Sequence, residues 1–212
     1  MIKINEIFFS IQGESSLVGQ PTVFIRTTGC NLRCNYCDTK YSYYDGEFWS
    51  VESLLLKVST FSTKYVCITG GEPLLQNEIY SLMNLLCNNG YIVSLETSGS
   101  KSCEFVDSRV KTILDVKTPS SGAKNSFDYS NLTFLYESSE VKFVITNESD
   151  FDWAEMFCRE YSLFHKCQVF YSPSFNEMDP KWLAEKILAT KSRARLQIQL
   201  HKYIWSPEKR GV

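Results

Sequence analysis

The sequence has few histidines, little net charge and no long apolar run. His165 and His201 are its only histidines, and they stand too far apart to form a paired zinc-binding motif. The formal net charge of −2 predicts no basic surface for nucleic acid. No apolar run approaches the roughly 20 residues that cross a membrane. These absences leave a globular protein whose partners are small molecules or other proteins, with no nucleic acid and no membrane among them.

A signal peptide pattern is also missing, because residues 1–6 form a mixed, strand-like start. The eight cysteines are therefore expected to be reduced in the cytoplasm rather than joined as disulfides. A length of 212 residues, with no internal repeat, predicts a single domain that covers residues 1–212.

Three of the cysteines, Cys30, Cys34 and Cys37, form the pattern Cys-x3-Cys-x2-Cys. Random placement of eight cysteines in a chain of this length would give that spacing roughly once in a hundred chains. Three thiolates from one short loop suit three irons of a four-iron cluster and leave the fourth iron open. An open position distinguishes a catalytic metal centre from a closed structural one. The pattern therefore predicts a 4Fe–4S cluster with a free coordination site.

Other uses of the cysteines stay open at this point. Zinc usually needs four ligands, and neither a second cysteine pair nor paired histidines supply the fourth at the usual spacing. Cys67, Cys87 and Cys158 lie in apolar or helical segments and are predicted to be small buried hydrophobic residues. Cys103 and Cys167 are assigned no role.

Short β-branched segments alternate with helical patterns along the chain. The predicted strands are 22–25, 65–69, 92–95, 112–115, 141–145, 168–171 and 196–200. The predicted helices are 51–56, 79–88, 153–157 and 180–188. This alternation indicates a parallel sheet, and the chain is shorter than the ~250 residues of a complete eight-stranded barrel. We therefore expect an α/β fold, an incomplete (β/α) barrel of about six parallel strands.

Chemically active residue types collect where these strands end, which is where barrel folds place their active sites. They are Arg26 and Cys30, then Gly70, Gly71 and Glu72, then Glu96 and Ser98, then Asp115 and Lys117, then Ser172 and Pro173. This coincidence does not depend on the cysteine spacing, so it supports one site that uses all these segments. The polar, serine-rich stretch 119–139 is expected to be a poorly packed loop.

A Cys-x3-Cys-x2-Cys loop after an early strand, with Gly-Gly-Glu-Pro after the next, resembles the radical S-adenosylmethionine (SAM) enzymes. Three further segments resemble one family among them, 7-carboxy-7-deazaguanine synthase. They are Glu-Ile-Phe-Phe-Ser-Ile-Gln-Gly-Glu at 6–14, Cys-Asp-Thr at 37–39, and His-Lys-Tyr-Ile-Trp at 201–205 with Pro207 after it. The resemblance extends over the whole chain.

The resemblance implies a lyase of 7-deazapurine (queuosine) biosynthesis. In that family a reduced cluster passes an electron to SAM at the open iron, and the 5′-deoxyadenosyl radical takes a hydrogen atom from 6-carboxytetrahydropterin. Ring contraction with loss of ammonia gives 7-carboxy-7-deazaguanine, and SAM is regenerated. The resemblance also implies Mg2+, a homodimer and a reductant protein such as flavodoxin.

The resemblance further implies roles for individual residues. The expected metal ligands are Cys30, Cys34 and Cys37 for the cluster and Thr39 for Mg2+. The expected SAM-binding residues are Gly70, Gly71, Glu72, Glu96, Ser98, Asp115, Lys117, Ser172 and Pro173. The expected substrate-binding residues are Ile11, Gln12, Gly13, Glu14, Arg26, Thr69, His201 and Pro207. In this set Arg26 offers a bidentate partner for the pterin carboxylate, and Glu72 can pair with an ammonium.

The chain departs from the family pattern at Ser15, where glycine is more common, at Asp115, and after Pro207, where five more residues follow. Two other functions stay open. An activase that places a glycyl radical on a partner protein would share the cysteine spacing but would need no pterin site. A non-enzymatic metal-binding module would have a closed metal site and would not bind SAM.

Overall fold

Nine strands form one sheet in the computed structural model, which describes all 212 residues. In chain order they are β1 (Ile2–Ile11), β2 (Pro21–Thr27), β3 (Glu47–Trp49), β4 (Tyr65–Gly70), β5 (Ile92–Thr97), β6 (Lys111–Asp115), β7 (Glu140–Ile145), β8 (Gln168–Pro173) and β9 (Arg195–Leu196). Across the sheet the order is β3-β1-β2-β4-β5-β6-β7-β8-β9. Neighbours from β2 to β9 are parallel, whereas β1 is antiparallel to both β2 and β3. The expected incomplete barrel is confirmed.

Five helices connect or follow the strands: α1 (Val51–Ser59), α2 (Glu78–Asn88), α3 (Glu148–Glu160), α4 (Pro180–Thr190) and α5 (His201–Ile204). Ser50 and Asn147 accept hydrogen bonds from amides in the first turns of α1 and α3. These side chains satisfy amides that the first helical turn leaves without a partner. Shortly after α2, Gly90 has a φ of +81°, which glycine adopts at little cost. None of the helices has the length and apolar character that a membrane span requires.

Side chains alternate along each strand between the two faces of the sheet. On β7, Val141, Phe143 and Ile145 are buried in the hydrophobic core between the sheet and the helices. Lys142 and Val144 point to the opposite, inner face and line a central cavity. The inner face of the parallel strands is therefore available for polar side chains, while the outer face carries the core.

Three sequence predictions differ from the structure. The strand predicted at 196–200 is only Arg195–Leu196, because the side chain of Gln197 turns to the Ser15 carbonyl and the chain then enters α5. The stretch 119–139 is not poorly packed, since it contains three short 3-10 helices and buries Phe127 and Leu132. Cys87 is only half-buried, although Cys67 and Cys158 are buried as predicted; all eight cysteines are free.

Candidate active site

A cavity of about 700 Å³ lies on the inner face of the sheet. The predicted site residues that line it are Ile11, Gln12, Gly13, Glu14, Arg26, Cys30, Cys34, Cys37, Thr39, Thr69, Gly70, Gly71, Glu96, Ser98, Asp115, Lys117, His201 and Pro207. Cavities that enclose small molecules commonly measure ~300–1,000 Å³. The structure therefore brings most of the predicted residues to one cavity of a size that suits a small-molecule ligand.

Cys30, Cys34 and Cys37 lie in the loop that follows β2 and contribute to the cavity wall. The sulfur of Cys30 accepts a hydrogen bond from the Leu32 amide at 3.3 Å, and the Cys37 sulfur lies 3.7 Å from the Thr39 hydroxyl. Burial raises the pKa of the Cys30 and Cys34 thiols. A bound metal reverses this tendency, because a coordinating thiol is deprotonated.

Two glycines allow this cysteine loop to pack against the end of β4. A Cβ on Gly71 would lie only 2.1 Å from the carbonyl oxygen of Gly29, and Gly70 has a φ of +148° that other residues rarely adopt. The Glu72 amide donates to the same Gly29 carbonyl at 2.8 Å. The pair of glycines therefore permits the close approach of the cysteine loop, in addition to any approach of a ligand.

Glu72 does not line the cavity, although the family resemblance implies a contact with SAM. Its buried carboxylate accepts hydrogen bonds from the Leu74 amide at 3.1 Å, the Thr97 hydroxyl at 2.7 Å and the Ser98 amide at 2.9 Å. Glu72 thus joins the segment after β4 to the end of β5, and its carboxylate is buried in the protein interior. Ser98 itself does line the cavity.

Ser172 and Pro173 also do not line the cavity. Both are buried near the end of β8, whereas Ser174, the next residue, faces the cavity. At this strand end the cavity wall is therefore formed by Ser174, and the predicted role of Ser172 and Pro173 in SAM binding stays a prediction.

A group of buried charged side chains covers part of the inner face. Lys142 Nζ lies 2.7 Å from a Glu14 carboxylate oxygen and 3.3 Å from an Asp115 carboxylate oxygen. Lys117 Nζ lies 3.0 Å from the same Asp115 oxygen. Burial alone would raise the pKa of Glu14 and Asp115, but the nearby lysines lower both below their usual values. Both groups therefore face the cavity as carboxylates.

Glu96 behaves differently from these two carboxylates. Burial raises its pKa, and the negative charge of Glu14 raises it further. Its carboxylate accepts a hydrogen bond from the Thr69 hydroxyl at 3.0 Å. The cavity therefore presents carboxyl groups with opposite tendencies to hold a proton, which can serve as acceptor and donor for a heterocyclic ligand.

Arg26 extends from β2 into the cavity beside aromatic rings. Its Nε lies 2.7 Å from Glu6, and its guanidinium carbon lies 5.6 Å from the Phe8 ring centre and 5.8 Å from the Tyr41 ring centre. No other Arg26 hydrogen bond within the chain accompanies this one. The terminal nitrogens of Arg26 therefore remain free to bind an anionic ligand.

Three buried polar atoms of cavity residues have no partner within the chain: Gln12 Nε2, Tyr36 OH and Asp115 Oδ1. A buried polar group without a hydrogen bond is costly, by about 1–3 kcal/mol. These atoms therefore mark polar positions at the cavity wall for which the chain itself supplies no hydrogen bond.

The C-terminal segment closes one side of the cavity. The Leu200 amide donates to the Gly13 carbonyl at 3.0 Å, and a Cβ on Gly13 would lie 2.2 Å from His201 Nδ1. Glycine at position 13 is thus required by the His201 ring. Burial lowers the pKa of His201. At the mouth, the Arg210 guanidinium lies 3.9 Å from the centre of the Tyr41 ring.

Several lining residues were not indicated by sequence reasoning, chiefly Lys142, Tyr41, Lys202 and the tail after Pro207. Lys142 could have been noticed in the sequence, because a lysine within an otherwise apolar strand needs a charged or polar partner when it is buried. The antiparallel direction of β1 was not indicated either. Residues 12–14 consequently reach the cavity across the opening of the barrel and not from the carboxyl end of a parallel strand.

The donor set of the cysteine loop is three soft thiolates on one cavity wall, Cys30, Cys34 and Cys37. A structural zinc site usually takes four protein ligands, whereas this loop supplies three. Three thiolates fit a four-iron cluster in which one iron stays free of a protein ligand.

Comparisons with known proteins agree with this site. Residues 24–120 match the radical SAM superfamily model. The chain is 40% identical to the 7-carboxy-7-deazaguanine synthase of Chlorobaculum tepidum, over 100% of this chain and 97% of that protein. It is also 40% identical to that of Koribacter versatilis, over 100% of both chains.

Solved structures support the fold. The crystal structure of QueE from Escherichia coli superposes with a TM-score of 0.78 and 23% identity, covering 94% of each chain. Streptococcus suis SuiB bound to S-adenosylmethionine superposes with a TM-score of 0.51 and 15% identity, over 81% of this chain and 44% of that one. At these identities the likeness concerns the fold.

Proposed function

The chain belongs to the 7-carboxy-7-deazaguanine synthase family, and from that premise we propose the reaction that its cavity performs. The protein is a radical SAM lyase of queuosine biosynthesis that converts 6-carboxytetrahydropterin to 7-carboxy-7-deazaguanine with loss of ammonia. One observation carries the proposal in this chain: the cysteine loop and the residues expected to bind the pterin, Gln12, Glu14 and Arg26, line the same cavity.

Cys30, Cys34 and Cys37 would hold a 4Fe–4S cluster, and the segments after β4, β5 and β6 would hold SAM beside it. When bound, the cluster and SAM supply the one-electron chemistry that begins the reaction. The support for the SAM position is that Gly71, Ser98 and Lys117 line the cavity together with the cysteines. Glu72 would act indirectly, because it ties the end of β5 to this loop.

The chain's own groups would bind and orient the pterin. The free end of the Arg26 guanidinium would bind its carboxylate, because a guanidinium matches a carboxylate with two parallel hydrogen bonds. The unpartnered Gln12 amide and the Glu14 carboxylate would bind the edge of the ring, which carries both donors and acceptors. Glu96, whose pKa is raised by burial and by the charge of Glu14, would face the same ligand with a stronger tendency than Glu14 to take up a proton.

Magnesium would be bound by Thr39 together with the substrate. Mg2+ needs about six oxygen ligands in octahedral geometry and often keeps several waters. The chain offers the Thr39 hydroxyl at the cavity wall, while the neighbouring Asp38 carboxylate is paired with Lys202 at 2.6 Å. A single protein hydroxyl suffices only if the pterin carboxylate and water complete the coordination shell.

The remaining expectations concern organisation and partners. A single domain over residues 1–212 is supported by one continuous core cluster that draws on four of the helices. A homodimer would follow the commonest symmetry of protein oligomers. A flavodoxin-type protein would supply the electron, and eight free cysteines suit the reducing cytoplasm. Sedimentation analysis, and turnover with and without added flavodoxin, would test the dimer and the reductant.

An anaerobic turnover assay tests the function. The cluster is reconstituted, SAM, Mg2+, reductant and 6-carboxytetrahydropterin are added, and product and SAM are followed by mass spectrometry. We expect 7-carboxy-7-deazaguanine without a matching loss of SAM. Cleavage of SAM without that product would retain the radical SAM class and refute the pterin substrate. Omission of Mg2+ should lower the rate if Thr39 and the substrate share the ion.

A further inference from the structure

Lys142 is a buried lysine in the middle of β7, between the apolar residues Val141 and Phe143. Side chains alternate between the two faces of a strand, so the side chains of Val141 and Phe143 lie in the core and that of Lys142 lines the cavity. No role has been assigned to it so far. A buried ammonium is retained only where carboxylates compensate for the lost hydration.

Those carboxylates belong to different parts of the cavity. Glu14 and Asp115 lie 2.7 Å and 3.3 Å from Lys142 Nζ, and Glu96 adds negative charge nearby. Glu14 is in the segment expected to bind the pterin, whereas Asp115 is beside Lys117 in the segment expected to bind SAM. One ammonium therefore connects the two ligand-binding walls.

The segment that carries Glu14 depends on β7 for its position. It follows the antiparallel strand β1 and crosses the opening of the barrel. Ser16 binds the carboxylate of Glu140, and Ser15 accepts a hydrogen bond from Gln197 at 3.1 Å. These contacts fix Ser15 and Ser16, the two residues that follow Glu14. Two contacts orient the Glu14 carboxylate itself: the ion pair with Lys142 and a 2.9 Å hydrogen bond from Gln199.

We propose, on the basis of the proposed function, that Lys142 is a positioning residue. It holds the Glu14 and Asp115 carboxylates at a fixed distance from each other and so fixes the position of the pterin relative to SAM. Its ammonium does not need to touch either ligand. It prevents the two carboxylates from separating and keeps Glu14 available as an acceptor for the pterin ring.

The test measures ligand binding in the reconstituted protein without reductant, so that no turnover occurs. Lys142→Met removes the charge at nearly constant length, and calorimetry gives separate Kd values for 6-carboxytetrahydropterin and SAM. We expect the pterin Kd to rise on the order of tenfold to a hundredfold, because an orienting charge is lost. The SAM Kd should rise less. Lys142→Arg should restore part of the pterin affinity.

A double-mutant cycle separates positioning from general structural damage. If Lys142 acts through Glu14, Lys142→Met should have little further effect on the pterin Kd in a Glu14→Gln background. Equal effects in both backgrounds would overturn the inference. Lys186→Met is the control for loss of a lysine–carboxylate pair, because Lys186 pairs at 2.5 Å with Glu148 and neither residue lines the cavity. It should leave the pterin Kd unchanged.

Two further outcomes are decisive. If Lys142→Met does not fold, Lys142→Gln replaces it in the same cycle. If the wild type binds the pterin and a folded Lys142 variant binds it equally tightly, the inference about Lys142 is overturned and the proposed function is not affected. Failure of the wild type to bind the pterin would instead refute the proposed function, and the inference would fail with it.

Discussion

The two faces of the sheet are built from the same strands but serve different purposes. On β7, Phe143 is buried in the apolar core and contacts Trp153, Phe157 and Tyr171 through its ring. Its neighbour Lys142 lies on the inner face among carboxylates. The outer face gains stability from apolar area removed from water. The inner face buries charge, which contributes little net stability and is retained for function.

Successive side chains of a strand point to opposite faces of the sheet. In a parallel barrel, one set of side chains therefore stabilises the core while the alternate set lines the site. A shift of one residue in the register would exchange the two faces. It follows that substitutions on the inner face should change ligand binding more than folding, and substitutions on the outer face should do the reverse. The following predictions test this separation, beginning with the largest effect.

Cys30→Ala should abolish cluster assembly and product formation, because two of the four irons would then lack a thiolate ligand. The fold should persist, since Cys30 is only half-buried and belongs to a loop. Iron content, visible absorbance and turnover give the readout, with circular dichroism for the fold. Cys87→Ala, at the end of α2, is the matched control and should keep full activity. Retained SAM cleavage in Cys30→Ala would contradict the cluster assignment.

Phe143→Ala should lower the free energy of unfolding by about 3–5 kcal/mol, because it leaves a cavity in a fully packed core. In a protein of this length that corresponds to a fall in Tm of roughly 6–20 °C. Calorimetric unfolding measures it. Pterin and SAM affinities, taken well below the Tm, should change little. A large loss of affinity would break the proposed separation between the two faces.

Arg26→Ala should weaken pterin binding by about 1.5–3 kcal/mol, as expected for a lost charge-assisted hydrogen bond. SAM binding should change less, because the partners of Arg26 are Glu6 and the Phe8 and Tyr41 rings, none of which belongs to the segments expected to bind SAM. Titration of each ligand without reductant provides the comparison. Arg109→Ala is the control, since Arg109 pairs with Asp107 away from the cavity. Equal losses for both ligands would remove Arg26 from the substrate site.

Deletion of residues 208–212 should have the smallest effect, a few-fold faster release of the pterin. The tail lines the mouth, and Arg210 lies on the Tyr41 ring, a contact worth about 0.5–1 kcal/mol at an exposed site. Stopped-flow dissociation measures the rate. Arg210→Ala should reproduce most of the change if this contact retains the tail. An unchanged rate in both variants would show that the tail does not restrict release.

Much of the fold could be predicted from local signals. Ser50 and Asn147 mark helix starts because their side chains bind first-turn amides, a local interaction. The apolar stripe Ile79, Leu82, Met83 and Leu86 is fully buried, as its helical spacing predicts. The prediction of a strand over 196–200 was wrong beyond residue 196. Its alternating apolar residues suggest a strand, but the Gln197 side chain makes a tertiary hydrogen bond to the Ser15 carbonyl instead.

The site was predicted unevenly for similar reasons. The cysteine loop and Gly70–Gly71 are sequence-local motifs, so their place at the cavity could be expected from the sequence. Glu72 is expected to bind SAM, and the structure adds that its carboxylate accepts hydrogen bonds from Thr97 and Ser98, which are distant in the chain. Lys142 was overlooked because a single lysine has no motif, and its partners Glu14 and Asp115 are distant in the chain.

The sequence by itself determined the cluster-binding loop, the alternation of strands with helices and the family, because each depends on residues that are close in the chain or on motifs along its whole length. The tertiary structure alone decided which charged groups meet. The antiparallel β1 carries Glu14 across the barrel opening to Lys142, whose charge lowers the pKa of Glu14, while burial raises the pKa of Glu96. Charge pairing and desolvation depend on distance in space, which spacing in the chain does not specify.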